Sequence, residues 1–228
     1  MSNKPAARKV AALILSRFWF KTFGISGFTT LFFVAYLYLL KHPAYHVAVI
    51  PTTWFDEVAS FQPAALPIYL SLWVYLSGPP VLMTTRREIT GYGVRIAALC
   101  LVALGIFYFW PNAVPPVHID WSQYPSVAFL KNVDAAGNAC PSLHVATAVF
   151  SALWLHWRLP LLGISRGWRT VNIVWCVAIA YSTMATKQHV AIDVAAGTVL
   201  ALAAAWVTGL KAHAEMRAPE FRLKPVHA

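Results

Sequence analysis

Six stretches of this 228-residue chain are apolar over the length needed to cross a bilayer, and no other feature constrains the fold as strongly. About 30 Å of hydrocarbon is crossed by roughly 20 helical residues. Inside it every backbone N–H and C=O must be satisfied within its own segment, so such runs fold as helices. The runs fall at 23–40, 64–83, 93–110, 142–159, 170–187 and 189–210. They predict an all-α integral membrane bundle of six transmembrane helices behind a short N-terminal amphipathic segment from Arg8 to Lys21. The first run lacks a small-residue cleavage site and is expected to stay as an anchor with the N-terminus retained. The connections are too short for a second folded unit, so residues 1–228 read as a single polytopic domain.

Composition supports this reading: 59% of residues are hydrophobic and 11% charged, with mean hydropathy +0.59. The net charge of +10 does not indicate nucleic acid, because the cations lie in short clusters between apolar runs and not on one basic face. Short cytoplasmic loops carry an excess of Lys and Arg. With the N-terminus inside, 15 of the 18 fall on the inner side and only Lys41, Lys131 and Lys187 on the outer. Both termini are therefore expected in the cytoplasm. The compact size and brief tails favour a bacterial inner membrane. Aromatic clusters such as Phe107 to Trp110, and Trp154 with Trp157, suit interfacial belts. Cys100, Cys140 and Cys176 have no paired spacing and suggest neither a disulfide framework nor a zinc site.

With so little charge outside, the few polar residues there are informative. The longest outer connection, 111–141, ends in Cys140-Pro141-Ser142-Leu143-His144 as the fourth span begins. Ser142 is placed to cap that helix, and the free N–H groups and positive dipole end of a first turn suit a phosphate. The fifth span closes and the sixth opens in Ser182-Thr183-Met184-Ala185-Thr186-Lys187-Gln188-His189-Val190-Ala191-Ile192-Asp193. At a spacing of four, His189 and Asp193 share a helix face, where the carboxylate can take the ring proton and fix the tautomer. Asp193 is the only carboxylate within the six runs, an expensive position unless paired or functional. Two such ligands are too few for a metal site, and the outer loops add no acidic cluster.

Pro141-Ser142-Leu143-His144 and Ser182 through Asp193 resemble the second and third signatures of the type 2 phosphatidic acid phosphatase superfamily, Pro-Ser-x-His and Ser-Arg-(five residues)-His-(three residues)-Asp. The resemblance implies that His189 attacks phosphorus, Asp193 orients it and His144 protonates the departing oxygen, while Ser142 and Ser182 help hold phosphate oxygens. It implies no cofactor and no metal, and a lipid phosphate among membrane lipids as the substrate. Two features depart from the pattern. The first signature, Lys-(six residues)-Arg-Pro, is absent, and Thr183 stands where the third has Arg. Lys131 and Lys187 are the remaining outer candidates for phosphate binding. Loss of the arginines looks like the branch of inositol phosphorylceramide and sphingomyelin synthases, which transfer a phosphorylated head group to a lipid alcohol. The expected activity is hydrolysis of a lipid phosphate or diphosphate, with head-group transfer as the alternative. A small transporter or structural subunit is a reading of another class, disfavoured because the polar set gathers at one interface and not at mid-span.

Overall fold

The computed structural model describes residues 11–128 and 137–216. Helices dominate, and their ends follow local signals. Helix α1, Phe18–Lys41, begins earlier than the expected 23 because Lys21 is accommodated inside it: its ammonium donates to Leu13 O at 2.8 Å and Val81 O at 3.1 Å. A two-residue strand β1, Ala48–Val49, and a short helix α2, Trp54–Val58, follow. The run expected as one helix over 64–83 is a 3-10 turn, Pro63–Ala65, continued by α3, Leu66–Leu70, α4, Leu72–Leu76, and α5, Gly78–Leu82. Pro67, Pro79 and Pro80 cannot donate to the ladder, and Ser71 Oγ bonds the Ile68 carbonyl at 2.6 Å, so the run advances in segments.

Helix α6, Arg86–Phe109, starts seven residues before the expected 93. Thr85 caps it, accepting from Glu88 N, while the Glu88 carboxylate accepts from the N–H groups of Thr84 and Thr85 at 3.0 and 3.1 Å. Strand β2, Asn112–Ala113, pairs in parallel with β1. The remaining helices are α7, Leu143–Leu161, α8, Arg166–Ala185, α9, Ala191–Val207, and α10, Leu210–Ala214.

Helix α7 is the axis of the bundle and packs against α6, α8, α9 and α10. Val145, Ala148, Phe150 and Trp154 are fully enclosed along its length. Small residues such as Ala146, Ala201 and Ala205 let the helices approach closely, as helices in lipid must when van der Waals contact replaces a hydrophobic drive. Outward, Phe23, Leu31, Val94, Leu101 and Trp206 expose large apolar side chains, a surface suited to lipid, and the chain is a membrane protein.

Among the described residues, three helical stretches are long and apolar enough to cross a membrane: Phe18–Lys41, Pro63–Leu82 and Arg86–Phe109. The expected spans in α7 and α8 carry more polar groups, whose partners lie inside the bundle. Arg158 pairs with Glu88 at 2.7 Å, and Asn172 bonds Ala152 O and the Tyr75 hydroxyl. Helix α9 is apolar but only 17 residues long.

Candidate active site

The starts of α7 and α9 lie side by side. Ser142 is the N-cap of α7, its Oγ accepting from Val145 N at 3.3 Å, and its own N–H donates to the Asp193 carbonyl at 3.0 Å. A Cβ on Gly197 would stand 2.5 Å from the Ser142 carbonyl oxygen, so only glycine permits this approach. The turn leading into Ser142 hangs on the buried Asn112. Its Oδ1 accepts from the N–H groups of Ala139 and Cys140, and its Nδ2 donates to Cys140 O at 2.7 Å. Its carbonyl takes the Asn138 N–H. The β1–β2 pair fixes Asn112 in turn, since Asn112 lies opposite Ala48.

Helix α8 ends in a Schellman motif. Lys187 adopts a left-handed backbone at φ 56°, its N–H donates to Met184 O, and the Gln188 N–H reaches back to Thr183 O. The expectation that His189 and Asp193 share a helical face is therefore corrected. His189 lies before the N-cap Val190, in the turn, and only Asp193 is within α9. They still meet, because the Asp193 carboxylate folds back onto the Val190 N–H at 3.0 Å and its Oδ2 stands 3.4 Å from His189 Nδ1. That separation is longer than a formed hydrogen bond but within ion-pair reach.

His144, in the first turn of α7, faces this pair with ring centroids 6.1 Å apart. Its ring stacks on Tyr69 at 4.3 Å with Trp73 edge-on, and its buried Nε2 has no partner among the described residues. Both histidines line an apolar cavity of about 250 Å³ walled by Phe28, Phe32, Tyr36 and Leu72. His189 also borders a second cavity of about 180 Å³ with Thr52, Asp56, Glu57 and Lys187. The Cys140 thiol lies beside Asp193; burial first and then that carboxylate push its pKa up to about 11.

Of the other residues singled out in the sequence, Lys131 lies outside the described residues. Ser182 is buried, and its hydroxyl donates to Ile179 O within its own helix. Lys187 Nζ donates to the carbonyls of Asp56 and Ala59 at the end of α2. Sequence reasoning missed Asp56, which carried no motif. Its Oδ2 closes the capping box of α2 and its Oδ1 accepts the Ala191 N–H at 2.8 Å, clasping α2 onto the turn that holds His189. It also missed Asn112 and Asn138, although an Asn beside Pro111 or Gly137 in an outer connection is a turn signal.

Among the described residues no group of three or more His, Cys, Asp or Glu is arranged to hold a metal ion. A family model described as the PAP2 superfamily matches residues 89–217, more than half of the chain and the part that contains both histidines and Asp193. Neither a search of curated proteins nor one of solved structures finds a match.

Proposed function

The chain belongs to the PAP2 superfamily, whose members are phosphatases and phosphotransferases of lipid-like substrates, and from this premise we propose that it is a membrane lipid phosphatase working through a phosphohistidine. The observation that carries the reading is the juxtaposition of two histidines 6.1 Å apart with Asp193 behind one of them, at the mouth of an apolar cavity. His189 Nδ1 faces Asp193, which leaves Nε2 with the lone pair for attack. In the first step His189 Nε2 bonds to phosphorus, the bond to the lipid oxygen breaks, and protonated His144 gives its proton to that oxygen. In the second step water attacks the phosphohistidine, His144 takes the water's proton, and the N–P bond breaks to release phosphate. Asp193 supports the positive charge on the His189 ring throughout. Ser142 and the first turn of α7 receive phosphate oxygens, with Lys187 and, by its position in the sequence alone, Lys131 as the candidate cations; Ser182 acts through the end of its helix.

The distribution of Lys and Arg favours six crossings with both termini inside and this site at the outer face. Two histidines can carry both half-reactions, so turnover is expected to survive EDTA and to be inhibited by vanadate. One observation favours head-group transfer as a second reading. The second cavity beside His189, at about 180 Å³, greatly exceeds the roughly 10–15 Å³ that one water needs, so it has room for an acceptor alcohol. The test is a lipid extract incubated with wild type and His189→Ala and read by mass spectrometry. Loss of a phosphorylated lipid with release of inorganic phosphate indicates hydrolysis, and a new head group indicates transfer. A wild type indistinguishable from His189→Ala would refute both.

A further inference from the structure

The superfamily's arginines are missing from this chain, and of the two motif serines Ser182 spends its hydroxyl proton on Ile179 O, which leaves the Ser142 hydroxyl, accepting from Val145 N, with a proton to offer. What else at the site is free to meet phosphate oxygens? Asn138 is buried, and it lines the apolar cavity together with His144 and His189. Its Nδ2 has no acceptor among the described residues. A buried amide donor without a partner is uncommon and calls for an explanation, often an absent ligand or water. The backbone is built to keep it there. Asn138 adopts φ 53°, a left-handed conformation that asparagine tolerates better than most residues, and its N–H is pinned to the Asn112 carbonyl at 2.6 Å. Five residues on, α7 opens with the N–H groups of Leu143 and His144 lacking any carbonyl one turn back within the helix. His144 Nε2 and His189 Nδ1, which belong to the lining of the same cavity, are likewise buried without a hydrogen-bond partner among the described residues.

We propose that Asn138 is a phosphate-binding residue. Its carboxamide donates to a phosphoryl oxygen held against the first turn of α7, supplying neutral hydrogen-bond donation where relatives with the full signature use cations. The inference rests on the phosphoryl-transfer reading of the site and deepens it. Gln188 Nε2 is likewise buried without a partner but borders neither cavity, so burial alone does not single out Asn138.

The left-handed backbone dictates the test. Asn138→Gly removes the carboxamide while fitting φ 53°, and Asn138→Asp keeps shape and backbone tolerance but replaces the donor with a carboxylate. Binding of orthovanadate and of inorganic phosphate to purified protein is followed by thermal stabilisation, with no need for turnover. Asn138→Gly should weaken binding of both anions by about tenfold, in line with loss of a hydrogen bond to a charged group. Asn138→Asp, folded by the same melting criterion, should weaken it further. A residue with a merely structural role would give the opposite order, with Asn138→Asp the milder change. Equal anion affinity in wild type and both variants would overturn the role of Asn138 and leave the phosphoryl-transfer reading standing. A wild type that neither anion stabilises would overturn both.

Discussion

His144 and His189 are equivalent in composition yet differ in surroundings, and the difference predicts separable behaviour. Asp193 stands behind His189, whereas His144 is stacked on Tyr69 with Nε2 unpartnered in the cavity. A general acid matters most when the leaving oxygen is strongly basic. His144→Ala should therefore be impaired by about 10²–10⁴-fold on an alkyl phosphate and much less on an aryl phosphate with an acidic phenol. His189→Ala should lose both activities together with any acid-labile phosphoenzyme. The measurement is activity on the paired substrates normalised to wild type, and equal loss for His144→Ala on both would remove its assignment as the acid. A third histidine works on stability. His213 accepts from Trp154 Nε1 at 3.1 Å and donates from Nε2 to the Glu88 carbonyl, so a second ring proton would point at the indole N–H. Burial first, then the positive charge of Arg95, hold its pKa below the ordinary 6.5. The folded state thus resists a proton that the unfolded chain accepts. This contribution to stability is complete above about pH 6.5 and is lost as the pH falls below it. Between about pH 7.5 and 5.5 the fall in melting temperature should be smaller in His213→Gln than in wild type.

At the scale of elements, the site depends on how closely two helix starts approach, and Gly197 sets that distance. A methyl there would meet the Ser142 backbone carbonyl at 2.5 Å, and a backbone atom cannot swing aside like a side-chain tip. Gly197→Ala should push α9 from α7 at a cost of about 1–3 kcal/mol. Because Asp193 lies one turn before Gly197 and its carbonyl accepts the Ser142 N–H, the shift should also lower activity, by up to about 10²-fold for a displacement near 1 Å. Gly93→Ala in α6, where nothing lies within 4 Å, should leave activity intact, and a melting-temperature and activity comparison of the two variants checks the claim. Much of this was legible beforehand: the motif residues, the Ser142 cap and the near positions of the helices are local properties of sequence. The start of α6 was not, because the apolar run begins only at 93, whereas the Glu88 capping box and the Glu88–Arg158 pair carry the helix back to Arg86. Nor was the turn that carries His189. The sixth span is expected to open at 189 and so to carry His189 on its first turn, whereas the turn through the left-handed Lys187 continues to Val190 and α9 starts only at Ala191. Asp56 and Asn112 act across 135 and 28 residues of sequence through a few hydrogen bonds, and no spacing rule reveals such pairs.

For the whole molecule, two features divide the ends of the bundle. Glu88, Arg158, Arg95 and His213 gather where α6 begins and α7 ends, with the Arg158 guanidinium donating to the carbonyls of Ala214 and Met216. The histidines, Asp193, the β1–β2 pair and α2 gather at the other end, where Trp54, Phe55 and Val58 expose apolar side chains suited to the lipid interface. The segments at this end include the described cations Arg86, Arg87, Arg95, Arg158 and Lys211, and the positive-inside rule predicts that it faces the cytoplasm. The catalytic end should then face outward, and the lipid head group must be presented in the outer leaflet. A single cysteine at Ser122, exposed in the connection between α6 and α7, tests this in a background lacking the three native cysteines, all of which are buried. An impermeant maleimide added to intact cells should label Ser122→Cys fully, while a cysteine replacing Ser165, between α7 and α8, should react only after lysis. The reverse pattern would place the histidines in the cytoplasm and exclude outer-leaflet substrates. Labelling of both sites in intact cells would mean that α7 does not cross, and the six-crossing arrangement would fall with it.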